Sequence, residues 1–445
     1  MANDFCSDFS LPPADLSCGV RFRALPTFEA TTENLAPARV RQISPLTGRW
    51  LPDWALRLQE TGRYLPAARA ASLISDSVYY YPVTVIQGST GSGKSTQIPQ
   101  ICLEMRNERW LRYGVVAHVS PTIEPLVGLH SRLEEEKDAW HWIHLATGRD
   151  KATVAGYNCA MFTTGVLVTA WWDVVEYFSV LIYDESHDRS TSYSELVNMV
   201  KPFVDKRKFK LIVMSATLSP SKVYDFFGHS NCNTVNLEGR LYPLYRFEPE
   251  VPIVFDTDEA LVDTLVELAV GEAATYFGGI LVFVRGQLLV EAVVLKLQDQ
   301  VKTVDWLEGW RVLPWFSRAD DEAHDEVKKI TDADWKCFIV TTEGLAMGKT
   351  FVPFRTSISS CQVNRKRGGV LRPTCDSQNG VNQAGGRVAR HPRLGPGRHI
   401  LVRQYDTMPV DHEPAIHEDS LHRVVLRLIR DRLWGRPTSG SWLAG

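Results

Sequence analysis

The segment Gly88-Ser89-Thr90-Gly91-Ser92-Gly93-Lys94-Ser95 follows the β-branched run VTVIQ directly and leads into TQIPQICLEM, whose apolar residues recur at helical spacing. A strand that must become a helix across a few glycine-rich residues leaves the fold little choice. The glycines let consecutive backbone N–H groups face one concavity, and the helix adds the positive end of its dipole. Such a turn suits a polyphosphate. In this spacing Lys94 reaches the β and γ phosphates, Ser95 ligates Mg²⁺, and Thr96 continues the cradle into the helix. The pattern implies a nucleoside triphosphate, ATP first among them, carried on a parallel α/β sheet.

From about residue 64 short β-branched runs alternate with longer segments of helical period: VTVIQ then TQIPQICLEM, GVVAHVS then EPLVGLHSRLEEE, VLIYDE then SYSELVNMVKPFV, LIVMSA then SKVYDFF. That alternation builds a parallel sheet covered by helices. A second cycle follows EPEVPIVFD, with ALVDTLVELAVGEA, GGILVFV, LLVEAVVLKLQ, KCFIVTT, TSISSCQV and RHILVRQYD. The expected fold class is α/β, with two tandem domains over 64–240 and 241–408. Residues 1–63, rich in proline and threonine, read as an extension that wraps the body or lacks order. Residues 409–445 read as a short helical segment with Leu421, Val424, Val425 and Leu428 on one face.

With 445 residues, 44% of them hydrophobic, the chain can build two or three cores. A net charge of −3 means that a polyanion must be gripped by a local groove and by backbone amides. The eight cysteines are scattered without a C-x-x-C pair, which points to reduced thiols and away from a metal cage. Asp263, Glu267 and Glu272 interrupt the longest apolar stretch, so it does not read as a lipid-spanning helix, and MANDFCSDFS lacks the pattern of a signal peptide. A cytoplasmic location is the expectation.

A phosphate loop needs a metal carboxylate at the end of a neighbouring strand, and VLIYDESHD supplies Asp184 and Glu185. Asp184 is the expected Mg²⁺ ligand together with Ser95, and Glu185 the group that orients and deprotonates an attacking water. Alone, an acidic pair after a strand is more often a solvated loop. Behind a phosphate loop in the same domain the functional reading prevails. His187 by itself says little.

The ordered series QGSTGSGKSTQIPQ, SPTIEPL, FTTGVL, YDESH, MSATLSP, LVFVRGQ, FIVTTEGLAMGKTF and QAGGRVAR resembles the motif set of superfamily 2 helicases, in the group of DEAH-box proteins and polyprotein helicases of positive-strand RNA viruses. The resemblance covers roughly residues 64 to 435. It implies two RecA-like domains and an RNA-stimulated NTPase that unwinds duplex RNA, moving 3′ to 5′ along one strand with loose nucleotide preference. RYLPAARAASLI, MSATLSPSKVYDFF and PAIHEDSLHRVVLRLI resemble cellular DEAH-box proteins, whereas FIVTTEGLAMGKTF is similar to the flaviviral motif and SPTIEPL to the potyviral one. The reading taken is a viral helicase of potyvirus or hypovirus type acting in RNA replication in the host cytoplasm beside viral replication proteins. A truncated cellular protein is the alternative.

By the same resemblance Gln383 places the water, while Arg387 and Arg390 reach the γ phosphate across a cleft from the second domain. Ala384 and Gly385 stand where an arginine is often found. Glu343, Gly344 and Gly348 line the cleft. Single-stranded RNA is implied to lie on Pro121, Thr122, Thr163, Thr164 and Gly165 in the first domain and on Arg285, Thr341 and Thr342 in the second. Between TSISSCQV and QAGGRVAR, NRKRGGVLRPTCDSQNG reads either as a β-hairpin that wedges a duplex apart or as a solvated basic loop. An RNA clamp switched by ATP without strand separation is the rival function.

Overall fold

The structure is a computed structural model. It describes residues 11–13, 15–25, 65–89, 91–107, 111–136, 143–146, 154–186, 190–216, 220–237, 243–316, 325–327, 329–330, 334–342, 353–367, 370–388, 394, 396–412 and 425–426. The chain divides into two compact units, Thr32–Arg240 with Glu413–Gly445, and Met1–Thr31 with Leu241–His412. The first carries the phosphate loop. The second carries QAGGRVAR.

The chain's first strand, β1 (Phe22–Leu25), belongs to the second unit; the phosphate-loop unit begins with two short helices, α1 (Pro66–Arg69) and α2 (Ala71–Tyr80). Its strands are β2 (Val83–Gly88), β3 (Val115–Ser120), β4 (Ile143–Ala146), β5 (Cys159–Thr163), β6 (Phe178–Tyr183), β7 (Lys210–Ser215) and β8 (Cys232–Leu237). They lie in the order β4-β5-β3-β6-β7-β2-β8 with every neighbouring pair parallel. Both faces are covered, so β3 and β6 are buried along their whole length and read as largely apolar runs. Successive residues serve opposite faces: Val85, Leu181 and Val213 join a core built with α5 (Thr164–Val174), α6 (Thr191–Asp205) and α7 (Pro220–Phe227). Ile86, Ile182 and Ile212 join the other, built with α2, α3 (Lys94–Asn107) and α4 (Ile123–Glu136).

The second unit holds β9 (Leu244–Pro249), β10 (Gly279–Phe283), β11 (Arg311–Trp315), β12 (Cys337–Thr341), β13 (Phe354–Ser359) and β16 (Gly397–Leu401), in the order β1-β9-β16-β13-β10-β12-β11. All of these pairs are parallel except β1 on β9. Helices α8 (Asp258–Thr275) and α9 (Gln287–Thr303) bury Leu261, Leu265, Val290, Val293 and Leu297 against this sheet. The α/β expectation holds in both units. Residues of the expected N-terminal extension thus supply an edge strand, anchored where Arg23 meets the buried Glu248 at 2.6 Å.

TSISSCQV, read as one strand, is two. The chain breaks at Ser360–Cys361, where Cys361 takes φ +54°, and β14 (Gln362–Arg367) pairs with β15 (Val370–Cys375) as a separate antiparallel hairpin with Arg367 opposite Val370. A short helix, α10 (Gln378–Gly385), follows, with Ser377 as its N-cap. The expected C-terminal helical segment lies almost wholly outside the described residues. No helix among the described residues is long and apolar enough to cross a membrane.

Candidate active site

The phosphate loop stands at the carboxyl end of β2, and every expected site residue of its unit that the structure describes sits at the same edge of the sheet, where ligands of open parallel sheets bind. Gly91 and Gly93 take φ +84° and +86°, conformations that side chains rarely adopt. Gly88 is a close approach: a Cβ there would lie 2.9 Å from Leu237 Cβ and 3.0 Å from Ser92 Oγ. The backbone N–H of Ala67 donates to Ser92 O at 2.9 Å and ties α1 to the loop. Lys94 is buried, its ammonium donating to Gly88 O at 2.6 Å, Ser89 O at 3.0 Å and Ser92 Oγ at 3.4 Å. Thr96 Oγ1 donates to Gly93 O at 3.3 Å. Thr90 lies outside the described residues.

Asp184 leaves the end of β6, its N–H bonded to Val119 O at 2.8 Å, and its side chain is buried. Burial by itself pushes the carboxyl up. Hydrogen bonds from His118 and Ser95 and the charges of His118 and Lys94 outweigh it and hold the group below the usual carboxylate range. Sequence reasoning brought Ser95 and Asp184 together, and the structure does the same. It missed His118, whose Nε2 lies 3.5 Å from Asp184 Oδ2. An imidazole within the apolar run VVAHVS was the one signal, and it becomes informative only once β3 and β6 are neighbours.

Glu185 has φ +50°, and its N–H donates to Asp184 Oδ1 at 2.9 Å. Ser186 follows with both N–H and Oγ directed at Met214 O, at 3.0 and 2.9 Å. The acidic loop is thereby pinned to the end of β7, the strand of the MSATLSP motif. Hydroxyl and carboxylate oxygens converging beside a lysine and a glycine loop are the hard donors that Mg²⁺ and a triphosphate require. His187 lies outside the described residues.

The residues implied to hold RNA divide. Pro121 and Thr122 are half-buried after β3, and Gly165 opens α5 with free space beside it. Thr163 caps that helix, accepting from Val166 N–H at 3.4 Å. Thr164 is buried and turned inward, with its hydroxyl 3.2 Å from Tyr183 Oη. In the second unit Thr341 is buried at the end of β12 and donates to Thr342 O at 3.1 Å. Arg285 grips Asp258 and Gln362.

Gln383 on α10 and Arg387 just beyond it are both buried. Gly385 has a packing reason to be glycine: a Cβ would sit 2.8 Å from His399 Cδ2 and 3.2 Å from Leu244 Cδ2, so an arginine there would collide with β16. Arg390, Glu343, Gly344 and Gly348 lie outside the described residues.

Residues 72–226 match the family model described as DEAD/DEAH box helicase. The human "Probable ATP-dependent RNA helicase DHX35" is 27% identical over 403 residues, covering 85% of this chain and 56% of the relative. The fission yeast (Schizosaccharomyces pombe) "Putative pre-mRNA-splicing factor ATP-dependent RNA helicase C20H4.09" is 27% identical over 310 residues, covering 66% and 45%. The chain therefore spans about half the length of the curated relatives it matches. Among solved structures, the DEAH/RHA helicase HrpB of Escherichia coli superposes with a TM-score of 0.69 at 20% identity, over 85% of this chain and 48% of that one. That likeness bears on the fold alone, parallel α/β sheets covered by helices. These relatives are cellular, so the viral origin and the role in viral replication read from FIVTTEGLAMGKTF and SPTIEPL find no support.

Proposed function

We propose that the protein is an RNA-stimulated, Mg²⁺-dependent NTPase that separates RNA strands. The observation that carries the reading is the Ser95–Asp184 pair beside the Lys94 cradle, with the acidic loop locked onto β7. Mg²⁺ with its triphosphate would supply charge neutralisation at the β and γ oxygens, held by Ser95 and Asp184. Lys94 turns its ammonium to the same oxygens. Glu185 orients water for in-line attack on the γ phosphorus and takes its proton, and the bond to the β–γ bridging oxygen breaks.

Gln383 helps to place that water, while Arg387 and Arg390 meet the charge that develops on the phosphoryl group. Such an arginine contributes about 10³–10⁵ in rate in related phosphoryl-transfer enzymes. Glu343, Gly344 and Gly348 belong to the same nucleotide site. RNA runs along Pro121, Thr122, Thr163 and Gly165 in one unit and Thr342 in the other, while Thr341, buried, positions its neighbour; the strand is gripped by its backbone without sequence preference and travelled 3′ to 5′. The β14–β15 hairpin parts the duplex.

The deciding measurement is ATPase rate with and without single-stranded RNA, beside displacement of duplexes tailed at either end, for wild type and Glu185→Gln. Wild type should be stimulated and should displace the strand of a 3′-tailed duplex. Glu185→Gln should bind RNA yet neither hydrolyse nor displace. Wild type that hydrolyses ATP and displaces no strand on any tailed duplex overturns strand separation in favour of an ATP-switched clamp.

A further inference from the structure

Arg285 stands where the helicase resemblance implies an RNA-backbone contact, yet its guanidinium is engaged inside its own unit. Nη2 meets both carboxylate oxygens of Asp258, each at 2.5 Å, from the first turn of α8. Nη1 donates to Gln362 Oε1, the side chain of the first residue of the β14–β15 hairpin. The arginine side chain is 13% exposed, so little of it faces solvent. The neighbouring residue repeats the contact: a Cβ on Gly286 would lie 2.7 Å from Asn364 Nδ2, so β14 lies directly on the start of α9.

The hairpin needs such a hold. Its two strands pair with no third strand among the described residues, and Val370 and Leu371 near its tip are 56% and 67% exposed. A two-stranded ribbon without a buried face is marginal in water. Its direction must therefore be fixed at its base, where Arg285 and Gly286 meet Gln362 and Asn364.

The geometry points to Arg285 as a positioning residue that clamps the base of the β14–β15 hairpin to the amino ends of α8 and α9. A planar fork can serve a carboxylate and an amide oxygen at once, which a lysine ammonium cannot do with the same fixed directions. Asp258 cancels the charge of that fork, so the site holds a strand of this chain and has no free cation to offer a phosphate. The clamp itself is independent of the helicase reading, and only its effect on strand displacement rests on it.

The test uses the full chain with Arg285→Ala, Gln362→Ala and the double variant. Backbone hydrogen exchange is followed by mass spectrometry over peptides covering Gln362–Cys375, with β10 peptides as the internal control. Each single variant should speed hairpin exchange by about tenfold or more without moving β10, and the double variant should be no faster than Arg285→Ala. Gln362→Ala should keep RNA-stimulated ATPase while displacing about tenfold fewer strands per ATP. Wild-type exchange in Arg285→Ala overturns the clamp. So does additive acceleration in the double variant, or about tenfold weaker binding of single-stranded oligouridylate by Arg285→Ala with hairpin exchange unchanged, which would mark an RNA contact. If wild type displaces no strand at all, the helicase reading fails, and the exchange measurements still decide the clamp.

Discussion

Glutamate 272 lies at the centre of the second unit, and replacing it with glutamine tests how that unit holds its charges. Glu272 and Arg398 are 2% and 0% exposed. Arg398 Nε donates to Glu272 Oε2 at 2.7 Å and Nη2 to Oε1 at 2.9 Å, while Thr356 Oγ1 donates to Oε2 at 3.1 Å. The guanidinium also stacks 4.2 Å from the Tyr276 ring centroid and 4.4 Å from that of Phe247, and its Nη1 donates to Leu11 O at 2.7 Å. A second guanidinium, Arg355, is equally enclosed: burial pushes its pKa down to about 9, against the opposing pull of Glu272. Glu272→Gln keeps the shape, removes the carboxylate that pairs with Arg398 and pulls on Arg355, and turns an amide NH₂ toward donors. Two charge-assisted bonds at about 1.5–3 kcal/mol each sum to about 3–6 kcal/mol, overlapping the cost of breaking a buried pair, about 3–5 kcal/mol. Against a domain stability of about 5–15 kcal/mol, that is enough to lower the unfolding midpoint of this unit well before the other. The assay is urea unfolding read by hydrogen exchange in β10 and β13, with β3 and β6 as the internal reference. A loss below about 1 kcal/mol, or an equal loss in both units, refutes the reasoning.

Four further substitutions address the site and its supports. Ser186→Ala removes the hydroxyl bond to Met214 O; kcat for ATP should fall about tenfold with nucleotide affinity little changed, as stopped-flow binding and steady-state assays can show. Ser95→Ala takes away a donor to Asp184 and an expected metal ligand, so half-maximal ATPase should need about tenfold or more Mg²⁺. Gly385→Ala drives a Cβ into His399, costing about 1–3 kcal/mol and shifting the helix that carries Gln383, so thermal stability and kcat should fall together. Lys210 donates to Tyr79 O at 2.7 Å, and burial with the nearby Arg207 lowers its pKa to about 8. Between that pH and the usual lysine value of about 10.4 the unfolded chain holds a proton that the folded one has released, so this lysine's contribution to stability grows as pH rises through that window. The urea midpoint of wild type should gain on that of Lys210→Met from pH 7 to about 10; a constant difference refutes it.

What the sequence disclosed was local, and what it concealed was made by pairing. The phosphate loop is a continuous stretch whose glycines and lysine act on one another within a single turn, so spacing alone identifies it. β3, β6 and β7 are legible because burial on both faces leaves largely apolar runs. β4 (IHLA) and β8 (CNTVNL) lie at the edges of their sheet, and partly exposed edges need no such run. β1 has only four residues, and its partner β9 lies more than 200 positions away along the chain. The absence of an arginine at Ala384 and Gly385 looked like a lost contact in sequence. In space, Gly385 is a place where β16 admits no side chain.

The acidic loop holds a strained residue by fastening its neighbours. A non-glycine residue at positive φ costs on the order of 1–3 kcal/mol unless its surroundings hold it, and Glu185 is held from both sides. Its own N–H is taken by Asp184 Oδ1, and the next residue is fastened twice to Met214 O. The carboxylate proposed to deprotonate water is therefore fixed by the residue proposed to bind metal on one side and by the end of β7 on the other. A movement of β7's carboxyl end acts on Ser186, then on the φ of Glu185, then on the direction of its carboxylate. The MSATLSP strand and the proposed water-activating group are thus mechanically one element, and for RNA proposed to lie at the same sheet edge this adjacency would be a short path from grip to hydrolysis.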